Sequence, residues 1–227
     1  MLRALAEDLW VVERPLRFGG IELGTRMSVV RLRDGGLFLH SPVALDDALR
    51  AALLRLGPPR YAVAPNRFHH LFVGDYRQAF PDVRLYAAPG LPEKRRDLTF
   101  DAVLTGGAPA EWAAELDQEY FQGFPLMGEV AFCHRASRTL LTCDLAFNIG
   151  PAAPFATRLA FRLVGAYGRF GPSVIEKLLI RDRAAARGSL ERILAWDFDR
   201  VVVTHGDVLE HGGRAALQAG YRWLLRS

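Results

Sequence analysis

The chain has 227 residues, half of them hydrophobic and 24% charged, with a formal net charge of +4. That balance suits one globular domain with a sizeable core and excludes a disordered or low-complexity polymer. The basic residues are almost all arginine, Lys94 and Lys177 being the only lysines, and their scatter without a dense basic run argues against a nucleic-acid partner.

No apolar run is long enough for a spanning helix. The opening "MLRALAEDLWVVERPL" meets Glu7 and Asp8 before any apolar core of a signal peptide can form, so a cytoplasmic location is expected. Two cysteines make no disulfide framework. Cys133 and Cys143 read as reduced core thiols, although a hairpin could bring them face to face.

In chain order, "LWVVERPL" is a short apolar strand. "MSVVRLRDGGLFLHSP" reads as two strands around Asp34-Gly35-Gly36, a hairpin turn signal. "VALDDALRAALLRLG" places Leu49, Ala52, Leu53 and Leu56 at helical spacing and stops at Gly57 before two prolines. "YAVAP" is a buried strand, "HHLFVGDYRQAF" a helix ended by Pro81, and "VRLYAAP" another strand. This alternation is the grammar of a covered sheet. Strand signals return in "FDAVLT", "EWAAELDQEYFQG", "GEVAFCHRA" and "TLLTCDLAFN", the last two forming a hairpin that turns at Ala136-Ser137-Arg138. Residues 150–197 read as helical with a break near Gly171-Pro172. "RVVVTHGD" is a final buried strand, and "GGRAALQAGYRWLLRS" a terminal helix.

Three apolar strands end in polar groups that chemistry can use. "YAVAP" leads to Asn66, His69 and His70; "TLLTC" leads to Asp144; "VVVT" leads to His205, Gly206 and Asp207. Strand ends gather at one rim of a sheet, where sites are commonly built. Three imidazoles and a carboxylate, His69, His70, His205 and Asp144, suit one divalent metal, zinc first, with iron or manganese as alternatives. Each residue also has a plainer role: Asn66 as a helix N-cap, Asp144 as the cap of a turn, His205-Gly206 as a strand-end turn. His40, His134 and His211 are expected to be structural.

The order of elements and three short motifs, "APNRFHHLF", "TLLTCDLAFN" and "VVTHGD", resemble the metallo-β-lactamase superfamily, and more narrowly its DUF4336 branch, nearly end to end. The resemblance implies an α/β (α+β) chain folded as a four-layer αββα sandwich, a single domain over 1–227 with a helical insertion at about 150–197. It also exposes departures. The superfamily motif His-x-His-x-Asp-His, laid with His70 in its last place, puts His69 on the aspartate and Pro65 and Arg67 on the first two histidines. A second register puts Asn66 on the first histidine and His70 on the aspartate, so that one of the pair ligates. "QGFPLMGEV", where a further histidine is expected, has Phe124 or its neighbours instead. Asp144 and His205 match the later aspartate and the last histidine. One half-site of a two-metal centre remains.

The resemblance therefore implies a metal-dependent hydrolase of reduced, single-metal type acting on an ester, lactone or phosphoester, with Asp144 or Asp207 as general base. The alternative is a non-catalytic member that binds a small molecule or serves as a scaffold. Residues 152–180 carry a stripe, Phe155, Leu159, Leu163 and Tyr167, at helical spacing. It is expected to pack beside the sandwich, with a lid, a homodimer surface or a membrane contact as the other readings. Of these a homodimer stays open and a membrane contact is not expected.

Overall fold

A computed structural model describes residues 1–226. Seven strands form one sheet in the order Arg3–Ala6, Leu9–Arg14, Thr25–Arg31, Leu37–His40, Pro59–Ala64, Arg84–Ala87 and Ala102–Val103. Four strands form a second sheet, Leu116–Tyr120, Val130–His134, Thr139–Leu141 and Arg200–Val202. Strand alternation assigns the layers. Val11, Val30, Phe38 and Val63 of the first sheet meet Val130, Phe132, Leu141 and Val202 of the second in one buried cluster between the sheets. Their strand neighbours Val12, Val29, Leu39 and Ala62 face outward onto Leu49, Leu53, Val73 and Tyr76 from two helices. Ala131, Cys133, Leu140 and Val201 likewise face Ala186, Leu190, Leu217 and Tyr221 on the far side. Helix, sheet, sheet, helix is the four-layer sandwich expected.

Local chemistry explains most boundaries. Strands Thr25–Arg31 and Leu37–His40 pair antiparallel across the Asp34-Gly35-Gly36 turn, with Gly36 N donating to Asp34 Oδ1 at 2.8 Å. Helix Asp47–Leu56 starts where Asp46 Oδ1 accepts from Leu49 N at 2.7 Å, and it buries Leu49 and Leu53. The hairpin Val130–His134 and Thr139–Leu141 turns through Arg138, which adopts φ +50°. Cys133 pairs in register with Leu140, so it does not face Cys143; both thiols are free and buried. Among the described residues no helix is long and apolar enough to cross a membrane.

Three expectations need correction. The helix anticipated over residues 69–80 is only Val73–Ala79, and His69 and His70 lie in the turn before it. The reason is Asn66, whose side-chain oxygen accepts from the backbone N–H of Phe68 and His69, both at 2.8 Å, and holds these residues as a turn. The segment "EWAAELDQEYFQG" is turn before it is strand, because Trp112 leaves the sheet line to fill a socket between the sheets. The break at Gly171-Pro172 divides helices Phe155–Leu163 and Val174–Leu179, but the stripe Phe155, Leu159, Leu163 faces solvent. The face that packs is the other one: Phe161 meets Phe147 at 5.2 Å between ring centroids, and Thr157 donates to Glu22 O at 2.5 Å.

Trp112 is the hub of the inter-sheet aromatics, edge-on to Phe38, Tyr61 and Tyr86 at 5.0, 5.2 and 4.7 Å. Among the described residues its indole N–H has no partner. Trp112→Ala should cost about 3–5 kcal/mol in urea unfolding. Trp112→Phe should cost far less, because it keeps a ring and deletes the orphaned donor; equal losses would contradict this packing role.

Candidate metal centre

Three strand exits converge, as the sequence requires of a site. Pro59–Ala64 runs into Asn66 and His69, Thr139–Leu141 into Asp144, and Arg200–Val202 into His205. One ligand atom each from His69, Asp144 and His205 lies within 4.8 Å of the other two. His69 Nε2 is 3.4 Å from Asp144 Oδ2, and His205 Nε2 is 3.6 Å from Asp144 Oδ1. Both gaps are long for hydrogen bonds. They match the edge of a tetrahedral zinc site, about 3.4 Å when zinc–nitrogen and zinc–oxygen bonds are about 2.1 Å.

The other ring nitrogen of each histidine is already engaged. His205 Nδ1 lies 2.8 Å from Gly24 O. A carbonyl oxygen only accepts, so Nδ1 carries the proton and the lone pair of neutral His205 points from Nε2 at the Asp144 carboxylate. His69 Nδ1 is 3.0 Å from Ser41 Oγ. Ser41 sits just past strand Leu37–His40 with φ +58°, a left-handed backbone that a serine adopts only where its surroundings enforce it. Ring nitrogens pinned by outer partners are the usual support of metal-binding histidines.

The backbone behind these side chains is held by two charged residues. Arg26 is buried and donates through Nη1 to Val203 O and through Nη2 to Gly206 O at 2.7 Å, clamping both sides of His205. Gly206 has φ +93°, and a Cβ there would lie 2.2 Å from Asn148 O, so only glycine fits. Glu129, fully buried at the start of strand Val130–His134, receives the Thr142 hydroxyl, the N–H groups of Cys143, Asp144 and Leu145 at 2.7, 2.7 and 3.1 Å, and Asn66 Nδ2 at 3.2 Å. Asn66 Nδ2 also donates to Asp144 Oδ2 at 2.8 Å.

Electrostatics follow from this crowding. Burial raises Asp144, but the charge and proximity of His69, then His205 and the Asn66 bond, outweigh it and bring Asp144 down to about 2. Burial lowers His69, and Asp144 with help from Glu129 reverses that, so His69 ends above its ordinary value. Burial and then His69's charge push His205 down to about 4. Burial and then Asp144 push Glu129 up to about 7, against the pull of its donors.

The remaining expected residues stand apart from the trio. His70 is outside the group: its Nδ1 lies 3.0 Å from Arg95 Nη1, and burial followed by the charges of Lys94 and Arg95 lowers it to about 4. Neighbouring residues of a turn diverge, and here they do. Asp207 is exposed, with its carboxylate against Gly150 and its backbone paired to Asn148. It lines a cleft of about 430 Å³ with Arg14, Arg26 and Thr157, and none of the trio lines that cleft. Phe124 is buried and offers no ligand. Sequence reasoning missed Ser41, Gly24, Arg26 and Glu129; a visible signal existed only for Glu129, an acid opening an apolar strand.

Glu129→Gln replaces an acceptor by an NH2 group facing donors whichever way it is turned. At least two buried bonds are lost, so the variant should be destabilised by about 3 kcal/mol or more in urea unfolding. In the metal-free protein, imidazole 15N spectra should show His205 as the neutral Nδ1–H tautomer down to about pH 4, while His69 keeps its proton above the ordinary histidine range. A His205 that titrates with His69 would contradict the tautomer argument.

Comparison with known proteins places this geometry. No curated protein matches the chain significantly. Among solved structures, a metallo-β-lactamase from Pontibacter korlensis superposes with a TM-score of 0.67 at 13% identity, covering 100% of this chain and 99% of its own. A metallo-β-lactamase from Erythrobacter litoralis with β-mercaptoethanol in the active site gives 0.66 at 17% identity, covering 99% and 94%. The metallo-β-lactamase FIM-1 from Pseudomonas aeruginosa in its mono-zinc form gives 0.60 at 12% identity, covering 100% and 93%. At such identities the likeness establishes the fold. A family model described as a domain of unknown function, DUF4336, matches residues 6–167. On that match the chain belongs to the DUF4336 family, built on the metallo-β-lactamase fold.

Proposed function

We propose that the protein is a metal-dependent hydrolase that holds one divalent ion, zinc by preference, between His69, Asp144 and His205. The observation that carries this reading is the convergence of one ligand atom each from His69, Asp144 and His205 within 4.8 Å of one another, with His205 Nδ1 engaged by Gly24 O so that Nε2 faces the Asp144 carboxylate at 3.6 Å. The donor set of two imidazoles and a carboxylate is a normal zinc environment. The mono-zinc form of FIM-1 supports a single ion on this fold.

A divalent ion held by His69, Asp144 and His205 would supply Lewis acidity and would acidify a water molecule. The chain's own contribution is orientation and charge. Ser41 and Gly24 fix the two imidazole planes, and burial keeps His205 neutral and ready to donate its lone pair. Asp144 stays ionised and is the carboxylate in reach of the reacting position; Glu129 is consumed by its five donors, and Asp207 stands outside the group. Phe147, stacked on His205 at 6.2 Å, excludes water from one side. The fold is compatible with esters, lactones and phosphoesters as substrates.

Metal analysis of protein purified without a His tag should find one ion per chain. His205→Ala and Asp144→Ala should lose it, and His70→Ala should keep it. A hundredfold excess of zinc over Kd should raise the Tm of the metal-free protein by about 5–10 °C. Hydrolysis of an ester, lactone and phosphoester panel should depend on the ion. A wild-type protein that takes up no ion and gains no stability from zinc refutes this reading and leaves the non-catalytic alternative.

A further inference from the structure

Half of the large hydrophobic side chains exposed among the described residues lie between Phe155 and Leu179. Phe155, Leu159 and Leu163 project from helix Phe155–Leu163, and Val174, Ile175 and Leu178 from helix Val174–Leu179. Phe155, Leu163 and Leu178 are 69, 80 and 77% exposed. The two helices are joined end to end, with Val174 N donating to Val164 O at 2.9 Å, so their side chains belong to one surface. A contiguous apolar patch of this kind marks an interaction face rather than scattered surface residues.

Charge selects the occupant. Arg158, Arg162, Arg169, Lys177 and Arg181 lie along the same segment, and among the described residues none of them pairs with a carboxylate: Arg158 donates to Pro151 O at 3.2 Å and Lys177 lies 5.9 Å over the Trp223 ring. Arg162 lies over the Tyr167 ring at 4.0 Å, which frees no negative charge for it. Glu176 is the one acid from Pro151 to Arg181, and it is consumed in a capping box, accepting from Ser173 N at 2.9 Å. A two-fold contact with a second copy would set these cations against each other. An apolar face flanked by arginine and lysine that no carboxylate neutralises is complementary to anionic headgroups above acyl chains.

We propose that the surface formed by helices Phe155–Leu163 and Val174–Leu179 docks on an anionic lipid bilayer, with its leucines and Phe155 at the headgroup boundary and its basic rim on the lipid charge. The inner face of the first helix stays packed through Phe161 on Phe147, so docking needs no unfolding. This inference is independent of the metal centre.

Full-length protein is tested by co-sedimentation with vesicles of phosphatidylglycerol and phosphatidylcholine in equal parts, and with phosphatidylcholine alone. Binding should occur to the anionic vesicles only and weaken with salt. The pairs Leu163→Asp with Leu178→Asp, and Arg162→Glu with Lys177→Glu, should each lower partition by about tenfold or more, with unchanged thermal unfolding. Absence of binding, equal binding to both vesicle types, or binding untouched by either pair overturns the proposal. So does a dimer in light scattering that the leucine pair dissolves, since a second copy would then cover the face.

Discussion

A carboxylate with no access to water has to be solvated by the protein, and Glu129 is solvated by the loop that carries Asp144. Three consecutive backbone N–H groups, a hydroxyl and an amide close around it. The three backbone N–H groups would be orphans at a strand exit without it. The same contact ties strand Val130–His134 to the end of Thr139–Leu141 and, through Asn66, to the end of Pro59–Ala64 in the other sheet. The position of Asp144 is thus a consequence of how one buried anion is satisfied, and the distances to His69 and His205 follow from it.

That arrangement leaves a local conflict in the metal-free chain. Two carboxylates, Glu129 and Asp144, face one raised histidine and one histidine kept neutral. Neutral His205 turns a lone pair toward negative charge, and the Ser41 hydroxyl engages Nδ1 of His69 on the other side of its ring. Natural chains tolerate such conflicts where function requires them and compensate with packing nearby. Here the compensation is visible in Arg26, whose guanidinium binds Glu13 and two carbonyls beside His205 at once.

Much of this was legible in the residues. Apolar runs that end in Asn66, Asp144 and His205 announced three strand exits, and alternation along them announced two covered sheets. His70 was expected beside His69, but adjacency in sequence says nothing about direction within a turn; in the turn held by the Asn66 bonds to Phe68 and His69, His69 faces Asp144 and His70 faces Arg95. Glu129 escaped notice because an acid at the head of a strand reads as solvent-facing, and its burial depends on donors 13 to 16 residues later. Of the stripe Phe155, Leu159, Leu163 and Tyr167, the first three share a helix face, assigned to the wrong side, while Tyr167 lies beyond the helix in a bridge with Ile149. Periodicity reports that a helix has two faces; it does not report which neighbour each face meets.

The outer helices and the centre are mechanically connected all the same. Phe147 stacks on His205 at 6.2 Å and meets Phe161 at 5.2 Å, so a single ring separates helix Phe155–Leu163 from a residue of the trio. Phe147 is itself fixed by backbone bonds to Gly171, the residue at the break between the two helices. Phe147 therefore links the helix to a face of the His205 ring, away from the contacts with Gly24 and Arg26. Close-packed interiors have low compressibility and transmit strain. The constraint on this fold is consequently two-sided: the strand-exit network must hold His205 rigid from the sheet, while Phe147 must hold it from the helices.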